Sequence, residues 1–185
     1  MAVSPGEYFK TKLPEQFASI AEGVDEGPGR ICFDITGEGL WTMGISGGAI
    51  EVTDGRHEDT LVQVTLDGAN WERAVERLES GGMGPIGGDT IVAMINNPAA
   101  TNTLKAAQGT LKVVTTGGDG EEWVAVTFGG AEPNVESPRA TLTMSEEVAE
   151  QMGRGEANPQ ELFMSGKIQI AGDMALMMQM QAATM

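Results

Sequence analysis

The side chains able to do chemistry are few and poorly placed for it. Cys32 is the single cysteine and His57 the single histidine of the 185 residues. A hydrolytic triad needs a nucleophile, a base and an orienting acid within hydrogen-bond reach of one another. His57 lies in the polar turn Asp54-Gly55-Arg56-His57-Glu58-Asp59, where a solvated side chain is expected, and nothing singles out a serine and an acid to join it. One histidine and one cysteine on unlike elements do not make a zinc site. Glu121-Glu122 and Glu146-Glu147 could serve as general acid and base or as calcium ligands. The first pair is expected in a turn and the second at a helix start, both ordinary places for solvated acids, and no calcium-loop spacing accompanies them. Gly82-x-Gly84-x-x-Gly87 matches the dinucleotide fingerprint as a bare pattern. It follows an expected helix instead of a strand, contains Pro85, and the next acid after Asp89 is Asp119, so the ribose contact is missing. These residues point away from an enzyme: no catalytic residue, no cofactor and no metal is expected.

Composition narrows the partners. A net charge of −16 opposes binding to a phosphate backbone or an anionic lipid surface, which excludes nucleic acid. A lone cysteine forms no intrachain disulfide and fits a reducing compartment. The N-terminal MAVSPGEYFKTK holds no apolar run of signal-peptide length and no stretch approaches a membrane span, so a cytoplasmic protein without a stable membrane anchor is expected. Aromatic residues are only 5% while methionines number 12, so a cavity here is lined by flexible thioethers before aromatic plates.

Two kinds of element alternate along the chain. Ser4-Pro5-Gly6-Glu7 has the form of a capped helix start, and Phe9, Leu13, Phe17 and Ile20 fall on one face of a helix that Pro14 is placed to kink. Arg30–Ile35, the Trp41-Met43-Ile45 run, Ala49–Thr53 and Leu61–Leu66 read as strands of an antiparallel meander. NWERAVERLE restores helical period. It is followed by GGMGPIGG, a short apolar helix near Asp89, and a new helix start at Asn97-Pro98.

The second half repeats this order. Trp123 lies 82 residues after Trp41, and Gly129-Gly130 lies the same distance after Gly47-Gly48. Val62–Leu66 matches Ala140–Met144 at 78, Ser80-Gly81 matches Ser165-Gly166 at 85, and Gly88-Asp89 matches Gly172-Asp173 at 84. Shared order with small loop indels reads as an internal duplication, 1–98 and 99–185. The halves differ in completeness. The second has the proline-broken AEPNVESPR where the first has the strand AIEVT, and the first lacks a counterpart of the capped turn Asn158–Met164.

The stretch GEANPQELFMSGKIQIAGDMALMMQM, Gly155 to Met180, resembles the C-terminal signature of the sterol carrier protein type 2 family: a short helix, a G-K strand ending in G-D, then an apolar closing helix. The first half matches more loosely, through GRICFDITGEGLWTMGISGG, LVQVTLDGANW and SGGMGPIGGD. The resemblance implies an α+β fold with a roughly five-stranded, mainly antiparallel sheet in each copy, covered by helices, as two units or pooled into one body. It implies an apolar tunnel for fatty acyl chains, sterols or similar molecules, with no chemistry on the ligand. The lining it turns inward is Trp123, Leu142, Met144, Leu162, Phe163, Ile168, Ile170, Met174, Met177 and Met178. Asp173 is positioned to cap the closing helix, which is apolar almost all round. Two readings stay open: a carrier of a hydrophobic small molecule or lipid, or an accessory module that forms a homodimer through the Met-rich helix and holds no free pocket.

Overall fold

The computed structural model describes residues 3–27, 29–79, 98–118 and 120–184. The N-terminal helix forms as expected, with the Ser4 Oγ accepting from the Glu7 amide at 3.3 Å, but it is not uniform. Helix α1 (Pro5–Glu7) passes through a π-helical turn, Tyr8–Lys12, into α2 (Leu13–Ala21). Pro14 explains the extra residue. It has no amide to donate and its ring crowds the carbonyl four residues back, so the helix widens upstream of it. Phe9 and Leu13 are buried as read; the side chains of Phe17 and Ile20 lie outside the described ones.

Among the described residues eight strands follow in chain order: β1 (Arg30–Thr36), β2 (Gly39–Ser46), β3 (Ala49–Asp54), β4 (Thr60–Asp67), β5 (Gly109–Gly117), β6 (Gly120–Phe128), β7 (Ala140–Ser145) and β8 (Ile168–Gly172). The remaining α-helices among the described residues are α3 (Trp71–Glu79), α4 (Pro98–Ala106), α5 (Glu146–Gly153), α6 (Pro159–Met164) and α7 (Met174–Thr184). The glycine-rich segment from Ser80, the apolar helix expected near Asp89, and Asn97 fall outside the described residues.

All eight strands join one mixed sheet in the order β3-β2-β1-β4-β6-β5-β7-β8. This corrects two expectations. Residues 30–66 are not a meander, because β4 returns past β3 and β2 to lie parallel to β1. Nor do the described strands form two separate five-stranded units: of the two arrangements expected the pooled one is found, because β4 pairs antiparallel with β6 and joins the halves. The reason lies in β4 itself. Leu61 to Thr65 are buried without alternation, the mark of a strand covered on both faces, and its outward amides and carbonyls need a neighbour. The β6–β7 connection holds no strand, as its prolines indicated, so β6 also lacks an outer partner until β4 supplies one. The order β2-β1-β4 recurs as β6-β5-β7, antiparallel then parallel in both.

The helix-covered face is fixed by the apolar columns Ile31-Phe33-Ile35, Val62-Val64, Leu111-Val113 and Leu142-Met144, which belong to one core running from Tyr8 to Leu176. The opposite face carries Cys32, Thr42, Gln63, Thr65, Thr110 and Thr127, all buried. Two connections lie against this second face: Thr42 donates its hydroxyl to the Gly55 carbonyl, and Thr110 accepts from the Asn134 amide at 3.0 Å.

Candidate ligand-binding site

On the helix-covered side the two halves of the core differ in chemistry. Over β1 and β2 it is aromatic. Phe9 stacks on Phe33 at 4.7 Å and on Trp41 at 5.2 Å, with Tyr8 and Trp71 closing against it. Over β7 and β8 it is aliphatic and thioether. Register sets Leu142 beside Ile170 and Met144 beside Ile168, and Leu162 of α6, Val148 of α5 and Leu176 of α7 join the same buried cluster.

Local chemistry positions each wall. Asn158 caps α6 by accepting from the Gln160 amide at 2.9 Å, with Pro159 in the first turn. Gly172 ends β8 at φ +91°, and a Cβ there would stand 2.5 Å from the Arg139 carbonyl oxygen, so only glycine lets β8 turn into α7. Asp173 then caps α7, its Oδ1 accepting from the Ala175 amide at 2.8 Å. Arg139 binds the same carboxylate at 2.7 Å and donates to the carbonyls of Ala107 and Gln108 at 3.0 and 2.6 Å, tying the α4 end, the β7 start and α7 together. The Arg139 hydrogen bond, with the Ala175 amide adding to it, holds the Asp173 carboxyl below the ordinary aspartate range.

Of the ten residues expected to line the site, Leu142, Met144, Leu162 and Ile168 are brought together and buried, while Ile170 and Met177 pack half-buried against them. Phe163, Met174 and Met178 are on the surface at 42%, 46% and 69% exposure. Trp123 is on the other side of the sheet, half-buried, with the Lys112 ammonium 5.1 Å from its ring. Its place follows from loop length. The β1–β2 hairpin closes Ile35 on Gly39 through three residues, whereas the β5–β6 hairpin closes Gly117 on Gly120 through two. An odd change exchanges the faces of a strand, so Trp41 points into the core and Trp123 away from it. Leu176, fully buried, was missed because an all-round apolar helix does not declare its inward side.

The chemistry-bearing side chains stay dispersed. Burial pushes the Cys32 thiol up, and desolvation raises Asp34, which accepts from the Gln63 amide nitrogen at 3.3 Å. His57 Nε2 meets the Thr53 hydroxyl at 2.7 Å. Glu121 and Glu122 are in β6, not in a turn, and Glu122 pairs with Arg73 at 2.6 Å. No group of three metal-binding side chains occurs among the described residues.

The family model described as the SCP-2 sterol transfer family matches residues 85–184, more than half the chain. The chain belongs to the SCP-2 sterol transfer family. Similar solved structures include the sterol carrier protein domain 2 of Helicoverpa armigera, 28% identical over 50% of this chain and 76% of that one, TM-score 0.38. Palmitated SCP2L2 from Aedes aegypti is 17% identical over 46% of this chain and 92% of that one, TM-score 0.37. The crystal structure of sterol carrier protein 2 like 2 from the same mosquito is 18% identical over 62% and 92%, TM-score 0.37. No curated protein matches. No described helix of this SCP-2 chain is long and apolar enough to cross a membrane.

Proposed function

We propose that this chain binds one hydrophobic, lipid-like molecule, such as a fatty acid or sterol, without chemical change, in an apolar tunnel between β7–β8 and helices α4 to α7. The observation that carries the reading is the division of the core. The first half is filled by rings locked against one another, whereas Leu142, Met144, Leu162, Ile168, Leu176 and Met177 are branched aliphatics and thioethers that can re-pack around a guest. Family membership over residues 85–184 supports the same half, and the palmitated state of the Aedes aegypti protein makes an acyl chain the first probe. The first half, 1–98, is then a diverged copy that has become scaffold, lending β4 to the sheet of the second. The recurring strand order supports that reading. A single buried thiol supports a cytoplasmic setting.

Affinity comes from removing apolar ligand surface from water, about 0.8 kcal/mol for each methylene buried. Shortening a fatty acid should therefore weaken binding about fourfold per methylene. Native mass spectrometry of protein purified without added lipid, followed by titration with a fluorescent fatty acid, tests the reading. One displaceable ligand per chain with that length dependence is expected. A folded sample with no displaceable binding, or affinity indifferent to chain length, overturns it.

A further inference from the structure

The two edges of the sheet are finished differently. β3 exposes Glu51 and Asp54, is covered by α2, and is tied by an ion pair of 2.8 Å between Lys10 and Asp54. Charge and cover of this kind keep other strands off an edge. β8, Ile168-Gln169-Ile170-Ala171-Gly172, carries no such charge. It contains no charged residue and no proline, and its only strand partner among the described residues is β7. Four of the five large exposed apolar side chains among the described residues flank it: Phe163 and Met164 before, Met174 and Met178 after. Charge is also sparse here. Residues 157–184 hold only Glu161, Lys167 and Asp173, net −1 in a chain of −16.

We propose that the β8 edge pairs with the β8 edge of a second copy, antiparallel about a two-fold axis at Ile170, to make one continuous sheet across a homodimer. The sequence of the edge fits itself. With Ile170 opposite its own equivalent, Gln169 meets Ala171, Ile168 meets Gly172, and Lys167 of each copy stands opposite Asp173 of the other. Lys167 is exposed and has no ion pair within the described chain, so it is available for that contact. The same register brings the Phe163–Met164 end of each copy towards the Met174 end of its partner. A two-fold contact requires this self-complementarity, and unpaired strand edges supply the hydrogen bonds. The pairing does not rest on the lipid reading, because it uses the outer edge and exposed side chains, not the buried lining.

Sedimentation velocity on the full chain across a concentration series tests the proposal, together with Lys167→Glu. That exposed substitution preserves the fold and places like charges opposite each other twice. A concentration-dependent dimer is expected, weakened about tenfold or more by Lys167→Glu. Zero-length carbodiimide coupling of a mixed 14N/15N sample should give a Lys167–Asp173 cross-link between differently labelled chains. A monomer at every concentration, a dimer indifferent to Lys167→Glu, or inter-chain cross-links only at other sites overturns the proposal.

Discussion

Trp41 and Trp123 match by spacing, 82 residues apart, yet replacing each with alanine should have very different consequences. Trp41 is 7% exposed and lies nearly parallel to Phe9, 17° between planes. Removing it empties a ring-sized volume beneath the N-terminal helix, a change that costs about 3–5 kcal/mol, with the lost stacking moving it towards the upper end. Trp123 is half-buried on the opposite face and its ring partner among the described residues is the Lys112 ammonium, a contact worth about 0.5–1 kcal/mol when exposed. At this chain length one kcal/mol moves the melting temperature by about 2–4 °C. Trp41→Ala should therefore melt about 6–20 °C lower and Trp123→Ala less than about 5 °C lower. Urea unfolding followed by far-UV circular dichroism, with calorimetric melts, measures both. Equal destabilisation by the two variants would refute the argument from hairpin length, because it would place both rings in one core.

Two further outcomes are expected. Asp173→Asn removes a carboxylate whose folded-state pKa is depressed by Arg139 and the Ala175 amide, so the stability it contributes is present above the unfolded aspartate value and lost as pH falls through the folded one; melts from pH 7 to pH 2 should show the variant less stable at neutral pH and the gap closing in acid. A fragment of residues 98–185 leaves β6 without β4 along the pairs from Val62–Phe128 to Leu66–Val124, so it should be unfolded or aggregated by size-exclusion chromatography and circular dichroism, and a folded monomeric fragment would contradict the fused sheet.

What the sequence discloses follows from which forces are local. Strands β1 and β2 are legible because alternation along six or seven residues reports one apolar face, and the caps at Ser4, Asn158 and Asp173 because a side chain meets an amide only two or three residues away. The third strand AIEVT and its absence from the second half are equally local matters of proline and β-branching. Pairing is not local. Nothing within Thr60–Asp67 states that its neighbours are β1 and β6 instead of β3, and the fused sheet rests on that choice. The candidate site divides the same way. Leu142, Met144, Leu162 and Ile168 lie on elements with one clear inward side. Met174 and Met178 lie on a helix apolar all round, where only the contact with α4 and β7 turns Leu176 inward. Trp123 was misplaced by one loop residue, a difference too small for motif spacing to register.

Strand β4 is bonded along both edges and covered on both faces, with one edge belonging to each half of the chain. Its amides can meet solvent only when the sheet parts through its middle. Local opening of either half leaves the other edge of β4 still paired, so the halves share a last-to-open unit and their unfolding is coupled through it. Two halves joined in this way gain cooperativity as they lose independence. Neither half can be dropped or separated without leaving an edge of the β4–β6 pair to be covered in some other way.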